Sequence, residues 1–223
     1  CLARTLSGPK RIGNKVLAID EVARNGLVLI AADGCGGWQT DESVAGLVCS
    51  LIAEHLALGA AAITDVAAQA ALLEQALSHA NHVVFHAGKT NKAMRGVGAT
   101  VAAATVFGAT LIVAHAGDCR AYLCRDGTLT QLTRDHSLLN DYLAAMPDLT
   151  EEQQAEVPRN VITRALGMLR RRPHATRDRK ISGADPVTSG RRRPGASGIA
   201  VRISAAIAHP RTPRGRSVTR LRQ

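Results

Sequence analysis

The spacing of apolar positions changes several times along the first two-thirds of the chain, and each change marks a predicted element. Lys15–Asp20 has the length and β-branched content of a strand, and Arg24–Gly26 is typical of a hairpin turn. Leu27–Ala32 is a continuous apolar run, which predicts a strand buried on both faces. We expect this strand to end in the glycine-rich loop Asp33–Gly37, whose backbone can approach a ligand because glycine has no Cβ.

Two long helices are predicted next. Apolar residues recur at helical spacing through Ser43–Leu58, and Gly59 provides a stop signal. Thr64 is the expected N-cap of the second helix, which runs to about Ala87 with an apolar stripe along one side. The Ala-rich composition of this part of the chain favours helix and close packing.

From Gly98 onward the pattern becomes that of short strands separated by tight turns. We predict four strands whose neighbours pair as an antiparallel meander. They are Ala99–Val106, Thr110–His115, Arg120–Cys124 and Thr128–Leu132. A short helix over Ser137–Ala145 and a further helical turn starting at Thr150 follow. This order of strands, helices and strands predicts an α+β fold in which helices cover sheet faces.

Residues 168–223 differ in composition from the preceding part. They contain 15 Lys and Arg against 2 Asp and Glu, whereas residues 1–167 contain 13 against 16. The formal net charge of +10 therefore belongs to one segment. We expect disorder from about residue 170 onward, because so little apolar surface cannot offset the entropy lost on ordering. The prediction is a domain over residues 1–167 and an Arg/Pro/Gly-rich tail over residues 168–223.

Composition also argues against several classes of function. The basic tail would attach to any polyanion, but one Trp, two Tyr and two Phe are too few to stack bases, so we expect no specific nucleic-acid partner. The apolar stretch from Gly96 to Gly117 is interrupted by glycines, and we predict strands there instead of a membrane span. Five cysteines without a CxxC pair are interpreted as core thiols of a cytoplasmic protein.

Two aspartates at the ends of predicted strands are candidate metal ligands. Asp33 follows the buried strand and precedes Gly34, and Asp118 lies at a later strand turn, two residues before Arg120. Carboxylate and carbonyl oxygens are the ligands that Mg²⁺ and Mn²⁺ prefer. An aspartate at a strand end is also an ordinary turn residue. The residues by themselves leave both interpretations open.

Five segments, taken in order, resemble the bacterial branch of the PPM-type (type 2C) protein phosphatases. They are ADGCGG at 32–37, GVGAT at 96–100, GDCRAY at 117–122, LTRDHSL at 132–138 and NVITRALG at 160–167. The resemblance covers about residues 10–167. It implies a sandwich of two antiparallel sheets with helices outside, in agreement with the predicted order of elements.

The resemblance also implies a function and a set of site residues. It implies hydrolysis of phosphoserine and phosphothreonine by a water activated by two Mn²⁺ or Mg²⁺ ions. Asp33 would bridge both ions, the Gly34 carbonyl would bind one of them, and Asp118 would help to hold a further ion. Arg11 matches the position of a phosphate-binding arginine, and a guanidinium group is well shaped for phosphate oxygens. The implied partners are phosphorylated proteins and a serine/threonine kinase or its substrates. His136, in the LTRDHSL segment, is interpreted as a structural or capping residue.

Several positions depart from the pattern of the family. Lys15 and Val16 stand where the family usually has an acidic pair, and neither an Asp-Gly nor an Asp-Asn motif follows Gly127. Asp33 alone cannot hold two divalent ions against water and their mutual repulsion. We therefore expect a sandwich that is incomplete at the C-terminus, with residues after about Met168 read from a shifted frame or following a truncation. The alternative function is a catalytically inactive pseudophosphatase that binds a partner. The sequence leaves the oligomeric state open.

Overall fold

The structure is a computed structural model, and it describes most of the first three-quarters of the chain. The described residues are 2–5, 27–36, 41–108, 110–125, 128–168 and 199–204. The predicted strand Lys15–Asp20 and the candidate residue Arg11 lie outside them.

Within the described ranges, the first sheet contains four antiparallel strands in the order β1-β2-β3-β4. They are β1 (Leu2–Thr5), β2 (Leu27–Cys35), β3 (Gly98–Phe107) and β4 (Thr110–Ala116). β2 continues three residues beyond its predicted end, because Asp33, Gly34 and Cys35 still pair with β3. The glycine-rich segment that was predicted as a loop therefore begins inside the sheet.

A second sheet contains β5 (Arg120–Arg125), β6 (Thr128–Gln131) and β7 (Ile199–Ser204) in the order β6-β5-β7. The predicted four-strand meander is wrong at one junction, because β4 and β5 belong to different sheets. Gly117 adopts a φ of 96° where the chain leaves the first sheet, a conformation that favours glycine. The expected disorder after residue 170 is wrong for β7, which pairs with β5 along six residues.

The helices lie close to their predicted positions. They are α1 (Asp41–Gly59), α2 (Val66–Thr90), α3 (Leu138–Ala145) and α4 (Glu151–Glu156), with 3₁₀ turns at Ala60–Ala62 and Lys92–Met94. The N-cap of α2 is Asp65 and not the predicted Thr64, since a carboxylate oxygen of Asp65 accepts a 2.7 Å hydrogen bond from the Ala68 amide. Ser137 caps α3, and Thr150 forms a reciprocal capping box with Gln153 at the start of α4.

Two apolar clusters hold these layers together. The larger one joins α1 and α2 to the first sheet through fully buried side chains such as Ile30, Ile52, Leu56, Leu73 and Leu77. The smaller one lies between the two sheets and is built on Ala104, Leu111 and Leu123. Burial of each large aliphatic side chain contributes about 1.5–3 kcal/mol, so the helices are fixed against the first sheet mainly by the larger cluster. The α+β prediction, with helices covering a sheet face, is confirmed.

One described helix is also apolar enough to be considered as a membrane span. Among the residues that the structure describes, Ser43–Ala62 is long and apolar enough to cross a membrane, by length and composition alone. Its side chains Val44, Val48, Ile52 and Leu56 are buried in the larger cluster. About a third of the span, 33%, is buried in this way, and a core helix meets the same criteria.

Candidate functional site

Residues from three neighbouring strands line up at the end of the first sheet where β2 finishes. Asp33 on β2 pairs with Thr100 on β3, and the next residue of β3, Val101, pairs with Ala116 on β4. Thr100 is therefore next to the turn in which Asp118 follows β4. The negative charge of Asp33 is close enough to contribute to a raised pKa of Asp118. The structure thus brings Asp33 and Asp118 to one end of the sheet.

The environment of Asp118 disfavours its ionised form. Burial is the largest cause of its raised pKa, and the charges of Asp135 and Asp33 raise the pKa further. Hydrogen bonds from its own backbone amide and from the Thr100 hydroxyl oppose these effects and lower the pKa. A cation placed among these carboxylates would stabilise the ionised form, since opposite charge offsets both desolvation and repulsion.

The turn before Asp118 depends on glycine. A Cβ on Gly117 would lie 2.3 Å from Thr100 Cγ2 and 3.1 Å from the Arg164 carbonyl oxygen. The Thr100 hydroxyl is also 3.2 Å from the sulfur of Cys119, a fully buried residue whose pKa is raised by burial to about 12. Cys119 is therefore a neutral thiol that packs beneath the turn, in line with the predicted core role of the cysteines.

Arg120 and Asp135 form an ion pair beside this turn. The Arg120 Nε donates a 2.8 Å hydrogen bond to Asp135 Oδ1, and its Nη2 donates to Oδ2. Hydrogen bonding to Asp135 raises the already high pKa of Arg120, so the guanidinium remains cationic. A planar guanidinium with two parallel contacts fixes a carboxylate more firmly than a single contact would. The pair therefore orients Asp135 towards the region of Asp118.

Two stacked histidines hold the same turn from the other side. The Gly117 amide donates a 3.1 Å hydrogen bond to His136 Nδ1, while His115 Nε2 lies 2.7 Å from the Arg134 carbonyl oxygen. The two rings are 4.5 Å apart and nearly parallel, with 7° between their planes. Burial lowers the pKa of both rings, that of His136 to about 4, so both are neutral near pH 7. His136 has the structural role that its sequence context predicted.

The NVITRALG segment packs against β3 and α2. Ala99 and Leu166 exchange two backbone hydrogen bonds of 3.0 and 2.8 Å, and the Gly167 amide donates 2.9 Å to Asn81 Oδ1. Gly167 has a φ of 85°, and a Cβ there would lie 2.3 Å from Val84 Cγ1. The glycine therefore allows the segment to approach α2 closely enough for Leu166 to be fully buried.

A cleft of about 260 Å³ opens beside Asp118. Its lining carries both signs of charge, from Asp118 and Asp135 on one hand and Arg120 and Arg159 on the other. Side-chain amides and backbone of the α3 region and of the NVITRALG segment complete the wall. A cleft with this mixture of charges can accept a polar ligand next to the Asp118 carboxylate.

The candidate ligands supply part of a metal site. Asp33 and Asp118 provide carboxylates of the kind that hard divalent ions prefer, and Gly34 is the next residue of β2, paired with Ala99. In the described ranges no group of three or more His, Cys, Asp or Glu side chains is arranged to hold a metal. These donors suit one hard cation with water completing its shell, but they do not by themselves make a site for two ions. Arg11 lies outside the described residues.

Comparison with known proteins identifies the family. The family Protein phosphatase 2C matches residues 28–141, just over half of the chain. The chain belongs to this family. The match confirms the resemblance on which the candidate residues were chosen, and it includes Asp33, Thr100, Asp118 and Asp135.

Curated phosphatase 2C relatives from bacteria align with the same part of the chain. A putative protein phosphatase 2C-type from Streptococcus pyogenes is 32% identical over 167 residues, which cover 74% of this chain and 66% of the relative. The serine/threonine phosphatase stp of Listeria welshimeri is 29% identical over 142 residues, covering 63% of this chain and 56% of that protein. The chain therefore spans little more than half the length of the Listeria protein.

A solved phosphatase structure shows the same fold. The catalytic domain of the serine/threonine protein phosphatase PstP, in complex with two manganese ions, matches with a TM-score of 0.54 and 29% sequence identity. The match covers 78% of this chain and 69% of the PstP chain. It agrees with the α+β architecture of two antiparallel sheets and flanking helices seen here.

Sequence reasoning found the two aspartates but missed the residues that support them. Thr100 and Asp135 were not selected, although each lies within a segment that carried the resemblance, GVGAT and LTRDHSL. Their influence on Asp118 depends on register across the first sheet and on the return of the loop after β6. In the sequence, the only signal for Thr100 and Asp135 was their position inside the GVGAT and LTRDHSL segments.

Proposed function

We propose that this chain carries the front part of a metal-dependent phosphatase that hydrolyses phosphoserine and phosphothreonine in proteins. The observation that carries the proposal is the meeting of Asp33 and Asp118 at one end of the first sheet, where burial and then the charges of Asp135 and Asp33 raise the pKa of Asp118. Such a cluster attracts a hard divalent cation, which we take to be Mn²⁺ or Mg²⁺. Family membership and the names of the bacterial relatives support the same assignment.

In this proposal Asp33, Asp118 and the Gly34 carbonyl hold the cation. A bound divalent ion would supply a water of lowered pKa and neutralise phosphoryl oxygens. The Thr100 hydroxyl keeps the Asp118 carboxylate oriented, and the Arg120–Asp135 pair holds the cleft wall beside it. Arg11 would bind the substrate phosphate, as the family resemblance implies.

The proposed substrates are phosphorylated proteins in the cytoplasm, and the proposed partners are a serine/threonine kinase or its substrates. Cys49 and Cys119 are buried, and burial raises the pKa of both thiols. Reduced, unreactive thiols agree with a reducing compartment. The bacterial relatives named as serine/threonine phosphatases support the substrate class.

Hydrolysis of a small aryl phosphate and of a phosphothreonine peptide tests the proposal, with Mn²⁺ or with EDTA. We expect Mn²⁺-dependent turnover that is lost in Asp33→Asn and Asp118→Asn. Asp148→Asn is the matched control, because Asp148 is exposed in the connection between α3 and α4. Turnover that persists in EDTA or in Asp33→Asn would overturn the proposed chemistry.

The second candidate is a pseudophosphatase that binds phosphoproteins without turnover. It is favoured by the lack of a three-ligand metal group among the described residues. Calorimetric titration with Mn²⁺ and with the phosphopeptide separates the two functions. Phosphopeptide binding with no hydrolysis at saturating Mn²⁺ supports the second function, whereas neither binding nor hydrolysis contradicts both.

A further inference from the structure

The exposed face of α2 carries two histidines one helical turn apart. His82 and His86 are both exposed, and their ring centroids are 4.3 Å apart with 52° between the ring planes. Residues four apart lie on the same side of a helix, so both imidazoles point away from the core in one direction. Two imidazoles at this spacing can donate one nitrogen each to a single metal ion, as in helical metal sites built on paired histidines.

The surroundings of this pair leave space for such an ion. His82 and His86 lie on the exposed surface of α2, with Asn81, Phe85 and Lys89 beside them. The His86 ring lies edge-on to Phe85, at 5.9 Å and 88°, which limits its rotation. None of these residues lines the cleft beside Asp118. Because both rings are exposed, solvent water can complete the coordination of a bound ion.

The ligand chemistry selects a different class of metal from the carboxylate cluster. Imidazole suits Zn²⁺, Cu²⁺ and Ni²⁺, whereas Mg²⁺ and Mn²⁺ prefer oxygen ligands. The α2 sequence from Gln75 to Thr90 contains no Asp or Glu. Lys89 is on the same face, but its ammonium lies over the Phe85 ring, 5.4 Å from the centroid. Its charge would weaken the binding of a cation without removing either ligand.

We propose that His82 and His86 form a binding site for one borderline divalent transition-metal ion on the outer face of α2, separate from Asp33 and Asp118. The ion is held by one nitrogen from each ring, with water at its remaining positions. Because the two rings come together only when this turn is helical, the ion binds the folded chain preferentially and stabilises α2. The proposal does not depend on phosphatase activity.

Calorimetric titration with Ni²⁺ tests the site, in a buffer without chelators and on chain that carries no histidine tag. Groups that only hydrogen-bond to a metal ligand contribute about 10- to 100-fold to metal affinity, so loss of a ligand itself in His82→Ala or His86→Ala should weaken binding at least about tenfold. His79→Ala is the matched control, because His79 is exposed on the same helix but its ring contacts His55 at 5.3 Å. Lys89→Gln should bind Ni²⁺ more tightly than the wild type.

Two further measurements separate this site from other metal-binding groups. All variants keep the five cysteines, so any binding by thiols is common to them. Millimolar Mg²⁺ should not compete with Ni²⁺, and Asp33→Asn should leave the Ni²⁺ affinity unchanged. Equal Ni²⁺ affinity in wild type, His82→Ala and His86→Ala would overturn the proposal. Equal weakening in His79→Ala and His82→Ala would overturn it as well.

Discussion

Acidification should destabilise the fold through His136. Its Nδ1 accepts the Gly117 amide hydrogen at 3.1 Å, and its ring stacks on His115. Protonation places a hydrogen on Nδ1, which then cannot accept this bond. The Gly117 amide would be left without that partner inside a partly buried turn, and a second positive charge would face Arg164.

The size of the effect follows from the pKa of His136. Burial, then the charges of His115 and Arg164, lower that pKa from 6.5 to about 4. A gap of about 2.5 pH units corresponds to about 3.4 kcal/mol, at about 1.36 kcal/mol per unit. Since His136 is partly exposed, solvent screening reduces this to about 1–2 kcal/mol. The pKa of His136 is lower in the folded chain than in the unfolded chain. The stability that neutral His136 contributes is therefore fully present above pH 6.5 and is lost as the pH falls towards 4. Below pH 4 the stability changes little from this source.

The assay is urea unfolding of wild type and His136→Asn at about pH 7.5, 6 and 5. The asparagine oxygen can still accept from the Gly117 amide, but the side chain does not titrate. We expect the variant to lose about 0.5–1 kcal/mol less stability than wild type over this range, because only part of the full effect is reached by pH 5. His79→Asn, on the exposed face of α2, should follow the wild-type curve. Parallel pH curves for wild type and His136→Asn would refute the reasoning.

Three further predictions, one of them with a control substitution, test the packing and charge of the candidate site. Gly117→Ala should lower the free energy of urea unfolding by more than about 2 kcal/mol, because a Cβ would lie 2.3 Å from Thr100 at a φ of 96°. Gly46→Ala, a helical position with nothing within 4 Å, should instead gain about 0.5–1 kcal/mol, and similar losses in both would contradict the argument. Leu166→Ala should cost about 2–5 kcal/mol in the same assay, since Leu166 is fully buried, and a loss below about 1 kcal/mol would be inconsistent with that burial. Asp118→Asn should raise the melting temperature in EDTA, because burial raises the pKa of Asp118 and its charge at neutral pH opposes folding; a lower melting temperature would count against this.

The sequence was most informative where periodicity was sustained. α1, α2 and β3 lie within about three residues of their predicted bounds, since each carries a long apolar pattern of one period. The predicted N-cap of α2, Thr64, is wrong by one residue, because Thr64 and Asp65 are both residue types that favour this position. The choice between them depends on which side chain reaches a free amide, and Asp65 reaches that of Ala68.

The partners of the strands were less predictable than the strands themselves. β4 and β5 are consecutive and separated by a tight turn, which favours pairing, yet Gly117 directs β5 into the second sheet. β7 does have an alternating pattern, with Ile199, Val201 and Ile203 at every second position. That signal was hidden by the arginine-rich average composition of the segment. A short strand surrounded by charged residues can form when an existing sheet edge provides its hydrogen-bond partners.

At the candidate site, the sequence motifs identify the residues, but only the fold determines their pKa values. The resemblance selected Asp33 and Asp118 from linear segments, but the raised pKa of Asp118 arises from burial and from the charges of Asp135 and Asp33, which approach it only in the fold. Burial and the charges of Asp135 and Asp33 oppose the charge of this carboxylate, whereas the Thr100 hydroxyl favours it. In the proposed metal site, a bound cation would offset both the burial of Asp118 and its repulsion by the other carboxylates. Metal binding would then be coupled to the stability of this turn.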